Sequence, residues 1–368
     1  MKHLCLLVAA FALAAAEPIA PERLATMIEA LTRLGPEKVA ANPKLQEALG
    51  KVLAATRGTS QFVQLVRDFS LKDQDAGLLE VAARFPADEA GATAARLVLA
   101  GTNRAAISAA LAGTNAVAVA QAFGNSSDKR VVDWLAPLAA NTNASVNYPA
   151  PVRKQAVRSL AQFQEGAAQI LALARVGKLP DDVKFIASAE LNSVRWPELK
   201  AEALKLLPPP AGQNDKPLPP LAELLKLKGD AGNGERVFTR EETGCAKCHV
   251  VNGRGIDFGP ALSEIGTKLG RDALFESILD PNAGVSFGFE AWAVELKNGD
   301  EIYGLVVSDA AEELAVKLQG GAVNRVKKSD IAKRTQSKLS IMPTGLAQTM
   351  TVQELVDLVE YLATLKKK

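Results

Sequence analysis

The sequence predicts a mainly α-helical protein in two parts: an N-terminal helical repeat domain, then a smaller helical domain with an antiparallel sheet inserted into it. Residues 19–206 are rich in alanine and leucine, poor in aromatics, and broken roughly every 10 to 15 residues by Gly, Pro or Asn/Ser/Asp clusters. The stretch LPPPAGQNDKPLPP at 207–220 cannot continue a helix and reads as a semi-rigid linker. After it the apolar period turns from helical to alternating over 286–335 and then back.

A chain of 368 residues exceeds one typical core, so two or three domains are expected. A net charge of +2 with 23% charged residues shows no global bias toward nucleic acid or a membrane surface. Residues 1–16 have the form of a secretory signal peptide. Lys2 and His3 open it, Leu4 to Ala15 is apolar, and Ala14-Ala15-Ala16 offers a small-residue cleavage site before Glu17. That apolar run is shorter than the roughly 20 residues a membrane span needs, and no later segment reaches that length. An exported, periplasmic protein with no transmembrane span is expected.

Residues 17–206 then form the helical domain. Arg153 to Leu160, Ala167 to Val176, Asp181 to Leu191 and Pro197 to Leu206 show its rhythm best. Antiparallel pairs of short helices would give a HEAT-like repeat of about 40 residues and a docking surface. An irregular helical bundle is the alternative. The region holds no histidine or cysteine, and Asp73, Asp75, Asp181 and Asp182 lie where helix starts favour carboxylates. No catalytic constellation is visible, and a carrier rather than an enzyme is expected.

Residues 221–368 form the second domain. Its first helix opens at Gly229-Asp230-Ala231, with Ala231, Gly234 and Phe238 on one face. Gly234 allows another helix to approach closely. The last helix, Thr351 to Leu365, presents Val352, Leu355, Val359 and Leu362 as an apolar stripe with Tyr361 beside it. Between these helices lies Cys245-Ala246-Lys247-Cys248-His249, the spacing of a c-type haem attachment site. Residues three apart on a helical turn share a face, so both thiols can reach the two vinyl groups of one porphyrin, with His249 beneath the iron. A bare CxxC also serves redox and zinc sites. Zinc, however, needs four ligands, and Cys5 and His3 fall within the signal peptide. One haem c, attached covalently through Cys245 and Cys248, is the expected cofactor.

The ordered series Gly234 and Phe238, Cys245 to His249, Gly253-Arg254-Gly255 and Gly259-Pro260-Ala261-Leu262 continues through Ser277-Ile278-Leu279-Asp280-Pro281-Asn282 and Gly304-Leu305-Val306. It ends with Ile341-Met342-Pro343-Thr344-Gly345-Leu346 and Glu354 to Leu362. Residues from about 229 to 368 thereby resemble the haem-binding domain of planctomycete and verrucomicrobium type, a variant of the class I cytochrome c fold. The resemblance implies haem binding and electron transfer. It implies that the Pro260 carbonyl accepts the proton on the far nitrogen of His249, and that Met342 is the distal iron ligand. A soft thioether opposite histidine would raise the reduction potential. Met342 as an ordinary apolar loop residue is the alternative, with Met350 as a fallback ligand and Met27 a poor one.

About 60 residues separate the helix Arg271 to Leu279 from the Met342 loop. Two hairpins are expected there. Ala291 to Leu296 and Glu301 to Val307 flank the tight-turn pair Asn298-Gly299, and Leu314 to Leu318 and Val323 to Val326 flank Gly320-Gly321. Trp292 and Tyr303 are expected in the core of this inserted sheet. Arg325, Lys327, Lys328, Lys333, Arg334 and Lys338, against Asp330 alone, make a basic strip. It would either steer an acidic redox partner or protect an edge strand from pairing.

Two functions follow from this reading. The first is an exported monohaem cytochrome c passing single electrons to a redox partner, such as a periplasmic dehydrogenase or another cytochrome, docked by the helical domain. The second is a haem-based sensor or small-ligand binder in which the distal ligand is labile. A peroxidase of the two-haem kind would need a second attachment motif, and the chain has one.

Overall fold

Prolines and short polar side chains set the helix starts. In the computed structural model, which describes residues 19–141, 147–208, 218–240 and 243–367, proline begins α1 (Pro21–Ala40), α2 (Pro43–Thr56) and α12 (Pro197–Leu206), where its missing N–H costs nothing. Asn42 caps α2 through the Lys44 N–H at 3.0 Å, and Thr59 caps α3 (Ser60–Asp68) through that of Phe62. Helix α1 breaks at Gly35, whose φ of 79° precedes Pro36. The signal segment at 1–16, with His3 and Cys5, and residues 209–217 of the proline-rich stretch lie outside the described residues.

Packing divides the chain into two compact units after Leu71. The first unit holds α1–α3 around Leu31, Val39, Val52, Leu65 and Phe69. The second begins with nine further helices: α4 (Asp75–Arg84), α5 (Glu89–Ala100), α6 (Arg104–Ala112), α7 (Ala116–Asn125), α8 (Val131–Ala140), α9 (Ala150–Leu160), α10 (Gln164–Arg175), α11 (Asp181–Leu191) and α12. Helices α7, α9 and α11 pack in succession, while α8, α10 and α12 form a second row. Asp75, Asp181 and Asp182 occupy first helical turns, as expected, and Asp73 sits in the preceding turn at φ 61°.

The remainder of this unit starts with a single turn, α13 (Leu221–Leu224), and α14 (Ala231–Thr239), and continues through α15 (Ile265–Lys268) and α16 (Arg271–Leu279). Five strands follow, then the final helix α17 (Val352–Thr364). Phe238, Phe275, Leu355, Val356 and Val359 fill the core between α14, α16 and α17. At the crossing of α14 and α17, Phe238 and Tyr361 lie 6.0 Å apart. A capping box of Thr351 and Glu354 starts α17.

The strands are β1 (Ala291–Leu296), β2 (Glu301–Asp309), β3 (Glu313–Lys317), β4 (Val323–Lys327) and β5 (Ile331–Gln336), in the antiparallel order β4-β3-β2-β1-β5. Gly299, Gly320 and Gly321 take positive φ in the two hairpin turns. Strand β5 is absent from the sequence expectation. Its residues are almost all exposed, so it carries no apolar alternation, and only pairing with β1 makes it a strand. Trp292 packs against the sheet core as expected. Tyr303 does not: it lies half-buried under the Arg195 guanidinium, 4.5 Å from ring centre to Cζ.

The sheet is fastened to the helical region by long-range polar contacts. Arg195 pairs with Glu301, Arg325 with Glu89 at 3.0 Å, and the buried Asn324 donates to Ser127 Oγ at 2.8 Å and the Asn125 carbonyl at 3.2 Å. A cavity of about 250 Å³ lies along this seam, lined by Lys129, Gln162, Glu165, Trp196 and Asp300 among others. The basic strip is largely neutralised. Arg325 also meets Glu313, Lys328 and Arg334 both meet Asp309, and Lys333 meets Glu295. The acids that answer these cations are distant in sequence, which is why the strip reads as unbalanced when taken alone.

Candidate haem site

Gly244, at φ 71°, turns the chain into a 3₁₀ turn at Cys245–Lys247. Residues i and i+3 eclipse in such a turn, which puts Cys245 and Cys248 on one side. The turn is closed by the Cys248 and His249 N–H groups on the Cys245 carbonyl, at 3.2 and 3.0 Å. Behind it the buried Thr243 donates to the Val237 carbonyl at 2.5 Å and the Arg240 carbonyl at 2.9 Å, tying the turn to the end of α14. Burial pushes the Cys245 thiol up. Burial, with the Glu190 carboxylate nearby, pushes Cys248 up to about 12. Both therefore stay thiols near neutral pH.

The segment after the motif wraps back beneath His249. Ile256 N–H bonds the Ala246 carbonyl at 2.9 Å and Phe258 N–H the Cys248 carbonyl at 3.1 Å, while Val251 and Arg254 form a small bridge. His249 Nδ1 lies 2.8 Å from the Pro260 carbonyl oxygen. A carbonyl can only accept, so Nδ1 carries the proton and Nε2 keeps its lone pair. Burial lowers the His249 pKa, a loss only partly offset by the Pro260 hydrogen bond, and the ring is held neutral. Two glycines make room for this wrapping. A Cβ on Gly259 would stand 2.6 Å from His249 Cε1, and one on Gly255, itself at φ 108°, would collide with the His249 carbonyl.

Met342 is half-buried and packs on the same apolar cluster as Cys245 and Ala246. Met350 is 3% exposed and spent in that core, and Met27 packs among α1–α3. The sequence reading overlooked what holds the Met342 segment. Ser340 N–H bonds Asn282 Oδ1 at 2.8 Å, and Met342 N–H bonds Ser340 Oγ at 3.2 Å. It also overlooked Asp357, a buried carboxylate that receives the Asp230 N–H at 2.8 Å, Asn233 Nδ2 at 2.7 Å and Gln353 Nε2 at 2.8 Å. Asn282, Asn233 and Asp357 sit in motifs that the sequence does display, but the bonds of Asn282 to Ser340 and of Asp357 to Asn233 and Asp230 span 58 to 127 residues.

The donor set fits a covalently held c-type haem: two thiols on one turn, a neutral imidazole with one nitrogen satisfied, glycine against the ring, and an apolar wall. Among the described residues no cluster of His, Cys, Asp or Glu could hold a separate metal ion, and no helix is long and apolar enough to cross a membrane. Residues 231–294 match the family model described as Cytochrome c. The match runs from α14 through the attachment motif and α16 and ends inside β1, where the inserted sheet begins. No curated protein matches the chain.

Proposed function

We propose that the cytochrome c domain makes this chain an exported monohaem electron carrier of the periplasm, passing single electrons to a redox partner docked by the helical region. The observation that carries the reading is the His249 imidazole, fixed by the Pro260 carbonyl at 2.8 Å beside two thiols on one turn. A haem bound there would supply a one-electron iron couple. Cys245 and Cys248 would hold it covalently and His249 Nε2 would face the iron. The Pro260 carbonyl keeps the imidazole in one tautomer and one orientation and makes it a stronger donor. Val251 and Phe258, both buried, keep water from the underside of the His249 loop. Met342 would supply a thioether ligand to that iron and favour its reduced state. The absence of a distal acid–base histidine from the sequence favours a carrier over a catalyst. The two-row packing of α7–α12 supports a HEAT-like scaffold for the partner.

The test is production with residues 1–16 in a host that attaches haem c, followed by mass and absorption spectra of the secreted chain. One haem per chain, lost in Cys245→Ala/Cys248→Ala, is expected. So is the weak far-red band of methionine-bound ferric haem, absent from Met342→Ala. A five-coordinate ferric spectrum in the parent would overturn the carrier reading in favour of a sensor or ligand binder.

A further inference from the structure

Two chain segments that are far apart in sequence meet beside Met342. The first is the turn after α16, where Asn282 N–H bonds Asp280 Oδ1 at 3.1 Å, fixing the Asn282 backbone in a local turn that follows the buried Pro281. The second is the return from β5, where Ser337 N–H bonds the Ala291 carbonyl at 2.8 Å and the chain then leaves the sheet. Asn282 Oδ1 accepts the Ser340 N–H at 2.8 Å across this gap, and Ser340 Oγ in turn accepts the Met342 N–H at 3.2 Å. From Asp280 to Met342 the backbone is thus held by three successive side-chain acceptors. On the far side of Met342 the half-buried Lys200 side chain reaches the exposed Thr344 Oγ1 at 3.1 Å, and a long flexible lysine restrains little.

We propose that Asn282 is a positioning residue for Met342: through Ser340 it fixes the backbone of the Met342 loop, and so decides how firmly that thioether is held against competing ligands. The inference rests on the reading of Met342 as the distal ligand. The inserted sheet lengthens the path from α16 to the Met342 loop to about 60 residues, and once the chain leaves the sheet at Ser337 no ladder holds the residues leading to Met342. Asn282 ties it directly to the helix end that a short connection would otherwise have supplied. An amide oxygen suits the task because it accepts one backbone N–H from the returning loop.

The test uses the full haem-loaded protein and the variants Asn282→Leu, Asn282→Asp and Ser340→Ala, with two readouts. Imidazole titration of the ferric form, followed at the far-red band, measures how readily the thioether is displaced. Amide hydrogen exchange of residues 337–346 measures the bracing itself. Asn282→Leu is expected to bind imidazole about tenfold more tightly, the effect of losing a hydrogen bond to a part-buried amide, with faster exchange across 337–346. Ser340→Ala should shift both in the same direction. Asn282→Asp retains an acceptor oxygen and should restore most of the parent behaviour. Faster exchange with imidazole affinity unchanged, in a parent that shows the far-red band, would make Asn282 merely structural and overturn the proposal. Unchanged exchange in Asn282→Leu would also overturn it. A parent with no far-red band would instead remove the distal-ligand reading, and with it the proposal, whatever the exchange data show. Should Asn282→Leu fail to accumulate, Ser340→Ala carries both readouts.

Discussion

A Cβ placed on Gly234 would collide with the Asp357 carbonyl oxygen and lie 2.6 Å from Tyr361 Cβ, so α14 and α17 cross at a separation that only glycine permits. The crossing brings Phe238 against Tyr361 and sets the end of α14 from which the Cys245–Lys247 turn departs. Gly234→Ala forces the two helices apart. A cost of about 2–3 kcal/mol is expected, seen as a fall of several degrees in the melting temperature of the haem-loaded protein. An unchanged melting temperature would mean that the crossing relaxes without penalty.

Asp357 fastens the same crossing and makes it sensitive to acid. Its burial would raise the carboxyl pKa, but the hydrogen bonds from Asn233, the Asp230 N–H and Gln353 together outweigh that and hold it below the usual carboxylate value. A carboxylate lowered in the fold stabilises it above the unfolded pKa and loses that contribution as pH falls through the folded one. Asp357→Asn should therefore cost about 1–3 kcal/mol at neutral pH, because its amide would turn a donor toward donors. The gap from the parent should narrow below the ordinary carboxylate range. Denaturant melts at neutral and acid pH check this, and a gap that does not change with pH contradicts it.

Arg195 joins the helical region to the sheet. Its guanidinium lies over the Trp196 ring at 4.3 Å and the Tyr303 ring at 4.5 Å and pairs with Glu301, while burial lowers its pKa to about 10. Arg195→Ala is expected to speed amide exchange in β2 and α12 together, since two cation–π contacts of about 0.5–2 kcal/mol each are lost with the ion pair. Arg195→Lys should rescue little, because an ammonium cannot stack flat between two rings. Exchange confined to one of the two elements would show that Arg195 does not couple them.

The ion pairs of Arg325, Lys328, Lys333 and Arg334 with Glu89, Glu313, Asp309 and Glu295 leave little unbalanced charge on the sheet edge. Reduction of the haem-loaded protein by an acidic partner should then change by no more than about twofold between low and high salt. Stopped-flow traces across that range decide it. A steep loss of rate would restore the steering role.

Much of the site is legible locally. The attachment motif is contiguous, and α11, α12 and α16 begin and end where apolar period, proline and glycine place them, at Asp181–Leu191, Pro197–Leu206 and Arg271–Leu279. The turns at Asn298-Gly299 and Gly320-Gly321 need φ values that glycine adopts freely. The facing of Gly234 and Phe238 toward the last helix follows from a one-sided apolar stripe that must be covered.

Tertiary structure decided the rest. β5 is a strand because β1 offers it a ladder, and Ile331–Gln336 has no apolar alternation of its own. Tyr303 serves the seam rather than the sheet core because Arg195 arrives from 108 residues earlier in the chain. The basic strip is neutralised by acids as distant as Glu89, and the Met342 loop is held by Asn282, 58 residues from Ser340. Covalent spacing, helix period and turn chemistry are properties of neighbours in sequence, so the chain determined them by itself. Charge balance, edge pairing and the bracing of a loop depend on which distant groups meet, and only folding brings those groups within a hydrogen bond of one another.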